Sequence, residues 1–135
     1  MTLHQTTLSP QELDSLAADI DLIRKEITHS LGEADVKYIR RIFAATHYLA
    51  FAGRAILWLC WLPLSSWWLP SAVVVGGFLL GISKILSDME IGHNIMHGQY
   101  DWTNDPQLQG ATYEWDCICL GDNWRHTHNY LHHTY

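Results

Sequence analysis

Trp67-Trp-Leu-Pro-Ser-Ala-Val-Val-Val-Gly-Gly-Phe-Leu-Leu-Gly-Ile-Ser-Lys-Ile85 decides the fold class. As a helix this run is about 28 Å long, enough to cross the hydrocarbon core of a bilayer. Its one charge, Lys84, sits at the end. Gly76, Gly77 and Gly81 would let a second helix approach closely. A partner run lies upstream, from Tyr48 to Leu64, and as a helix it spans roughly 25 Å, more if it begins at Phe43. Arg54 interrupts that run. A central arginine costs about 2.5–3.5 kcal/mol on insertion scales, so Arg54 snorkels, faces protein or marks a partly immersed helix. Between the runs, Pro63-Leu-Ser-Ser-Trp67-Trp68-Leu-Pro70 is an uncharged turn with interfacial tryptophans. The bland alternative is a buried soluble hairpin. The run lengths, the flanking tryptophans and the lack of charge from Ala55 to Ser83 favour a transmembrane hairpin.

Working outward, Ser9-Pro10-Gln11-Glu12 has the pattern of a capping box with proline at the first helical position. Leu13, Leu16, Ala17, Ile20, Ile23 and Ile27 follow at spacings of three and four, which predicts an amphipathic helix stopping near Gly32. Its plain reading is a packing helix; docking on a membrane surface is the alternative. A second helix is expected from about Ala34. Arg24, Lys25, Lys37, Arg40 and Arg41 precede the hairpin, Lys84 closes it, and the turn carries no basic residue. The positive-inside rule then puts both ends of the hairpin, and so both termini, in the cytoplasm. The expected organisation is all-α: cytoplasmic N-terminal helices over 1–42, one transmembrane hairpin over 43–87, and a cytoplasmic histidine-rich region over 88–135.

The chain of 135 residues has a net charge of −6 and no basic patch, which argues against a nucleic-acid partner. The N-terminus, Met1 to Pro10, has no apolar core of a cleavable signal. Cys60, Cys117 and Cys119 match no disulfide framework, and Cys117-Ile-Cys119 is not the C-x-x-C of a zinc or redox site. They read as reduced and structural.

Nine histidines are many for this length, and six fall in two clusters. Glu90-Ile-Gly-His93-Asn94-Ile-Met-His97-Gly98 continues the second run. On a continued helix, His93 and His97 share a face and can grip one metal, and Glu90, on the same stripe, could hold a ring N–H. Gly98 is placed to end that helix. Alone, this pair is a weak signal. The second cluster is Asn123-Trp124-Arg125-His126-Thr127-His128-Asn129-Tyr130-Leu131-His132-His133. On an α-helix His128 and His132 share a face, and His133 is turned by about 100°, so neighbouring histidines can address two metals. The plain alternative is an exposed polar helix. His126 points elsewhere and reads as surface or outer partner, with Asn94 and Asn129 also candidate outer partners. His4, His29 and His47 are isolated and ordinary. Five clustered imidazoles are too many for one zinc and suit two metals. There is no H-E-x-x-H, which removes the support for a zinc protease.

These residues resemble a known family. His93-x-x-x-His97 and His128-x-x-x-His132-His133 look like the first and second histidine boxes of the membrane fatty-acid desaturases. The surrounding words Met89-Glu-Ile-Gly-His-Asn-Ile-Met-His-Gly-Gln-Tyr-Asp-Trp102, Asn104-Asp-Pro106, Glu114-Trp-Asp116 and Trp124-Arg-His-Thr-His-Asn129 are similar to those of bacterial acyl-CoA desaturases of the Δ9, stearoyl-CoA type. The similarity runs from about Ser9 to Tyr135. It implies a bundle of membrane helices with a cytoplasmic cap, a di-iron centre held by the boxes, and O2-dependent removal of two hydrogens from a fatty acyl chain in lipid metabolism. It also implies a bacterial plasma membrane location and a ferredoxin or cytochrome b5-type electron donor fed by an NAD(P)H reductase. Family members are well over twice this length and carry a third box and further spans. The expectation is therefore a truncated desaturase fold, a fragment with an incomplete ligand set and no desaturase activity of its own. Two other readings stay open: a membrane di-iron hydroxylase of fatty acids or alkanes, and a non-catalytic small membrane protein that binds metal or haem.

Overall fold

A computed structural model describes residues 8–117 and 119–134. His4 and most of the N-terminal stretch Met1–Pro10 lie outside them. Among the described residues every regular element is helical. Contacts divide the chain into two units, Met1–Asp35 and Val36–Tyr135.

In the first unit, helix α1 spans Pro10–Ser30. The capping box forms as the sequence predicts: the Glu12 amide donates to Ser9 Oγ at 3.3 Å, and the Ser9 amide donates to Glu12 Oε2 at 2.7 Å. Those bonds hold the Glu12 carboxyl below its ordinary range. The apolar stripe is not packed: Leu13, Leu16, Ile20, Ile23 and Ile27 are all exposed. The helix ends at Ser30, two residues before Gly32. The Gly32 amide donates to Asp35 Oδ2 at 2.8 Å, which starts helix α2, Glu33–Trp58. Glu33 and Asp35 in its first turn complement the helix dipole.

In the second unit, α2 runs on to Trp58, a short 3₁₀ turn covers Leu59–Trp61, and helix α3 spans Trp68–Ile85. Two stretches of 29 residues, Glu33–Trp61 and Trp68–Met96, are long and apolar enough to cross a membrane. Tyr48, Phe51, Trp58, Trp61, Trp67, Val74 and Phe78 are exposed along them, as suits a lipid-facing surface. The two helices are antiparallel. Trp68 Nε1 donates to the Leu59 carbonyl at 3.0 Å near the turn, and the Ser83 hydroxyl donates to the Thr46 carbonyl at 2.9 Å at the far end. Between these contacts Gly53 meets Gly76. A Cβ on Gly53 would lie 2.9 Å from the Gly76 carbonyl oxygen, and one on Gly76 would lie 3.0 Å from that of Gly53. Gly76 therefore does what its sequence position suggested. Gly77 and Gly81 face open space, and Gly53 is the partner that composition did not single out. A valine at Gly53 is expected to destabilise the hairpin by about 1–3 kcal/mol through overpacking. Thermal unfolding in detergent, followed by helical circular dichroism, would show it, whereas Gly77→Val should unfold with the wild type.

Arg54 is exposed and lines a groove of about 430 Å³ with Thr46, His47, Ala50, Ser83 and Lys84. It also borders an apolar groove formed by Phe51, Ala55, Trp58 and Leu59.

The core of the second unit lies at the Ser83 end. Ile39, Ile91, Ile95, Tyr100 and Leu108 are buried together, with Ile42, Phe43 and Tyr113 against them. This cluster joins the start of the first span to the end of the second and to the loop that follows. Arg40 pairs with Asp105 across the same junction.

Candidate metal centre

After α3 the helix does not stop. It widens into a π-helical segment, Leu86–Gly92, and then tightens into α4, His93–Met96. The Asn94 amide side chain donates to the Glu90 carbonyl at 2.8 Å, occupying an acceptor of the wide turn. Ile91 and Ile95 are buried at 1% and 0% exposure. His93 and His97 each lie two residues further on, about 200° around the helix, so burying the isoleucines turns the imidazoles to the other side. Gly98, at φ 76°, ends the helix in the left-handed region, as its position predicts.

The second cluster begins with α5, Gly121–Trp124, and continues as a π-helical segment, Arg125–His132. The Gly121 amide donates to Glu114 Oε2 at 3.0 Å. The Arg125 guanidinium then anchors the segment. Nη1 donates to the carbonyls of Tyr113 at 2.9 Å and Gly110 at 3.2 Å, and Nη2 donates to Asp122 at 2.7 Å and Glu114 at 3.4 Å. Asn129 ties the two clusters together by donating from Nδ2 to the Met96 carbonyl at 2.9 Å.

These braces bring three histidines together. One ring nitrogen from each of His93, His97 and His128 lies within 4.8 Å of the others. All three are partly buried, and His128 Nε2 is fully shielded without a hydrogen-bond partner. His132 and His133 are exposed at the rim. The His133 ring is 5.0 Å from His97 and 4.9 Å from His128, and His132 is 5.1 Å from His128. Spacing on an α-helix would put His132, not His133, on the His128 face. The π-helical turn closes its bonds five residues apart, so the residue five on from His128 also comes round towards that face. His126 is exposed and stacks on Tyr130 at 5.7 Å, away from the group. Glu90 Oε1, a candidate outer partner of His93, accepts from the Tyr38 hydroxyl of α2 at 2.5 Å.

Two tryptophans outside the predicted set stand against the imidazoles. Trp124 stacks on His128 at 4.2 Å with 18° between planes, and meets His93 and His97 edge-on at 5.5 Å each. Trp115 meets Trp124 edge-on at 5.3 Å. The sequence signal for Trp124 and Arg125 was their place directly before the second cluster, on the same helix.

Burial pushes the His97 pKa below the ordinary histidine value, and the charges of His93 and His133 add to the effect. His128 is lowered in the same way, by burial first and then by the surrounding histidines. Neutral imidazoles with free lone pairs are what a transition metal needs. Three convergent imidazoles, one with a shielded and unpartnered nitrogen, fit a metal ion.

No family model matches the chain, and no solved structure matches it. Two curated relatives do. Each is an "NADPH-dependent stearoyl-CoA 9-desaturase", from two strains of Mycobacterium tuberculosis, and is 44% identical over 128 residues, 95% of this chain. The chain spans 28% of the length of these relatives. Over nearly all of its own length the chain is thus similar to one stretch of these desaturases.

Proposed function

We propose that this chain supplies part of the membrane anchor and part of the metal centre of a di-iron fatty acyl desaturase. The observation that carries the reading is the convergence of His93, His97 and His128 just past an apolar hairpin. His132 and His133 complete the chain's ligand share from the rim. A bound iron pair would supply the activation of O2 and the oxidising power to remove two hydrogens from an unactivated acyl carbon. The residues of the chain do the rest. The three histidines present imidazole nitrogen donors, which suit iron. Trp124 covers one side of them. The hairpin holds the centre at the membrane boundary, where an apolar acyl tail is at hand. Residues 1–42 and 88–135 lie on the cytoplasmic side of the hairpin 43–87, following the basic residues that flank it. The substrate is an acyl-CoA or acyl lipid in a bacterial plasma membrane. Reducing equivalents arrive from NADPH through a ferredoxin or cytochrome b5-type carrier. The name of the relatives supports both substrate and reductant.

Mass spectrometry of the acyl pool in the producing cells, with and without an intact gene, tests the reading. Loss of an unsaturated product on disruption supports desaturation. Loss of a hydroxylated product instead would move the assignment to a hydroxylase. The 135-residue chain alone is expected to form no unsaturated product, because three convergent imidazoles serve one metal and a pair needs more.

Metal loading should depend on pH in a defined direction. Protons compete with metal for imidazole, so loading falls as pH falls. Because burial holds His97 and His128 below the ordinary histidine value, loading is expected to persist to lower pH than at a fully exposed histidine site. Bound Co²⁺, followed by its visible absorption during acid titration, checks this; half-loss well above neutral pH would contradict it.

A further inference from the structure

The three convergent imidazoles are met chiefly by rings. An imidazole that binds metal is usually held by a hydrogen bond from its second nitrogen to a carboxylate or carbonyl, which fixes ring orientation. The Glu90 carboxylate accepts from the Tyr38 hydroxyl through Oε1. Asn129, next to His128, donates from Nδ2 to the Met96 carbonyl, and its buried Oδ1 has no partner. The side chain that lies against the rings is Trp124. Its indole lies flat on His128 at 4.2 Å and presents to both His93 and His97 at 5.5 Å, so one side chain touches all three rings.

Trp124 is itself braced. The Trp115 ring packs on it edge-on at 5.3 Å. Trp115 Nε1 donates to the Cys119 carbonyl at 3.0 Å, which fixes that ring. Gly92, one residue before His93, leaves the space: a Cβ there would come within 2.7 Å of the Trp115 ring. The brace therefore runs from the backbone beside the first histidine cluster, through two indoles, to the face of the second. Arg125, the next residue, locks the same helical turn to the carbonyls of Gly110 and Tyr113.

We propose that Trp124 is the positioning residue of this metal centre: its stack on His128 sets the plane of that imidazole and so the geometry of the three-nitrogen group. The proposal rests on the metal-binding reading above. Phenylalanine preserves a flat face in the same place; leucine fills space without one.

The test uses the full chain in detergent, titrated with Co²⁺ alone. Wild type, His97→Ala, Trp124→Phe and Trp124→Leu are compared, with affinity and the visible absorption of bound Co²⁺ as readouts. Trp124→Leu is expected to weaken binding by about 10–100-fold, the range for losing an outer partner of a metal ligand. It should also change the Co²⁺ spectrum, which reports ligand geometry. Trp124→Phe should restore most of the affinity. Unchanged affinity and spectrum in Trp124→Leu, with binding lost in His97→Ala, would overturn the proposal and leave the metal site standing. No Co²⁺ binding by wild type would overturn both. If Trp124→Leu does not fold, indole emission decides. Bound Co²⁺ should quench wild-type fluorescence by a component that Trp124→Phe lacks, and equal quenching in the two proteins would overturn the proposal.

Discussion

Replacing His97 with alanine is expected to lower metal affinity by more than the roughly 100-fold that marks the upper range for an outer partner, because a donor itself is lost. His97 sits at the centre of the group. Its ring is 4.6 Å from His93, 5.2 Å from His128 and 5.0 Å from His133. Among the described residues, His128 is the other imidazole that meets both the first cluster and the rim, and it carries the Trp124 stack. The substitution should leave the fold intact. The helix carrying His97 is held by Ile91 and Ile95, on the opposite side, and by Asn129 on the Met96 carbonyl. Metal analysis after dialysis, paired with circular dichroism, checks both halves of the expectation. Full metal content in a folded His97→Ala protein would show that the convergence is not a site.

The second large effect belongs to Arg125. Its side chain is only 18% exposed, whereas those of its acidic partners Glu114 and Asp122 are 60% and 86% exposed. The two ion pairs are therefore screened and contribute little. The bonds from Nη1 to the Gly110 and Tyr113 carbonyls matter more, since hydrogen bonds to a charged donor are worth about 1.5–3 kcal/mol each. Arg125→Met should cost on the order of 3 kcal/mol of stability and release the loop Gly110–Glu114 from the second histidine segment. Arg125→Lys should recover only part, because an ammonium cannot reproduce the planar fork. A fall in unfolding temperature ordered wild type, lysine, methionine is the expected result. Equal unfolding temperatures would show that the loop is held elsewhere. Metal affinity should fall with stability here, in contrast to His97→Ala, where it falls alone.

Much of this architecture could be read from local pattern. The capping box at Ser9 and Glu12, the apolar hairpin, the terminating Gly98 and the His93–His97 pair all depend on neighbours within four residues or on composition. What escaped depends on contacts far apart in the chain. Gly53 gains its meaning from Gly76, and the Glu90 carboxylate is claimed by Tyr38, 52 residues away. Trp124 gains its role from meeting both clusters. The ordering of His132 and His133 escaped for a different reason. A spacing of four was read at 100° per residue, and the segment carrying these histidines winds more widely than that. Spacing rules carry an assumed pitch, and the pitch itself is set by packing.

Both histidine clusters follow or occupy such wide turns, Leu86–Gly92 and Arg125–His132. A wide turn inserts, in effect, an extra residue into a helix without breaking it. The helix below can then satisfy the lipid while the helix above is rotated independently to satisfy the metal. The Gly53–Gly76 crossing fixes one azimuth and the buried isoleucines Ile91 and Ile95 fix another, and the seven residues of Leu86–Gly92 absorb the difference. Anchor and centre are coupled in height above the membrane but free in phase. A single-residue change of register in this joint would re-aim the histidine donors without redesigning the span that carries them.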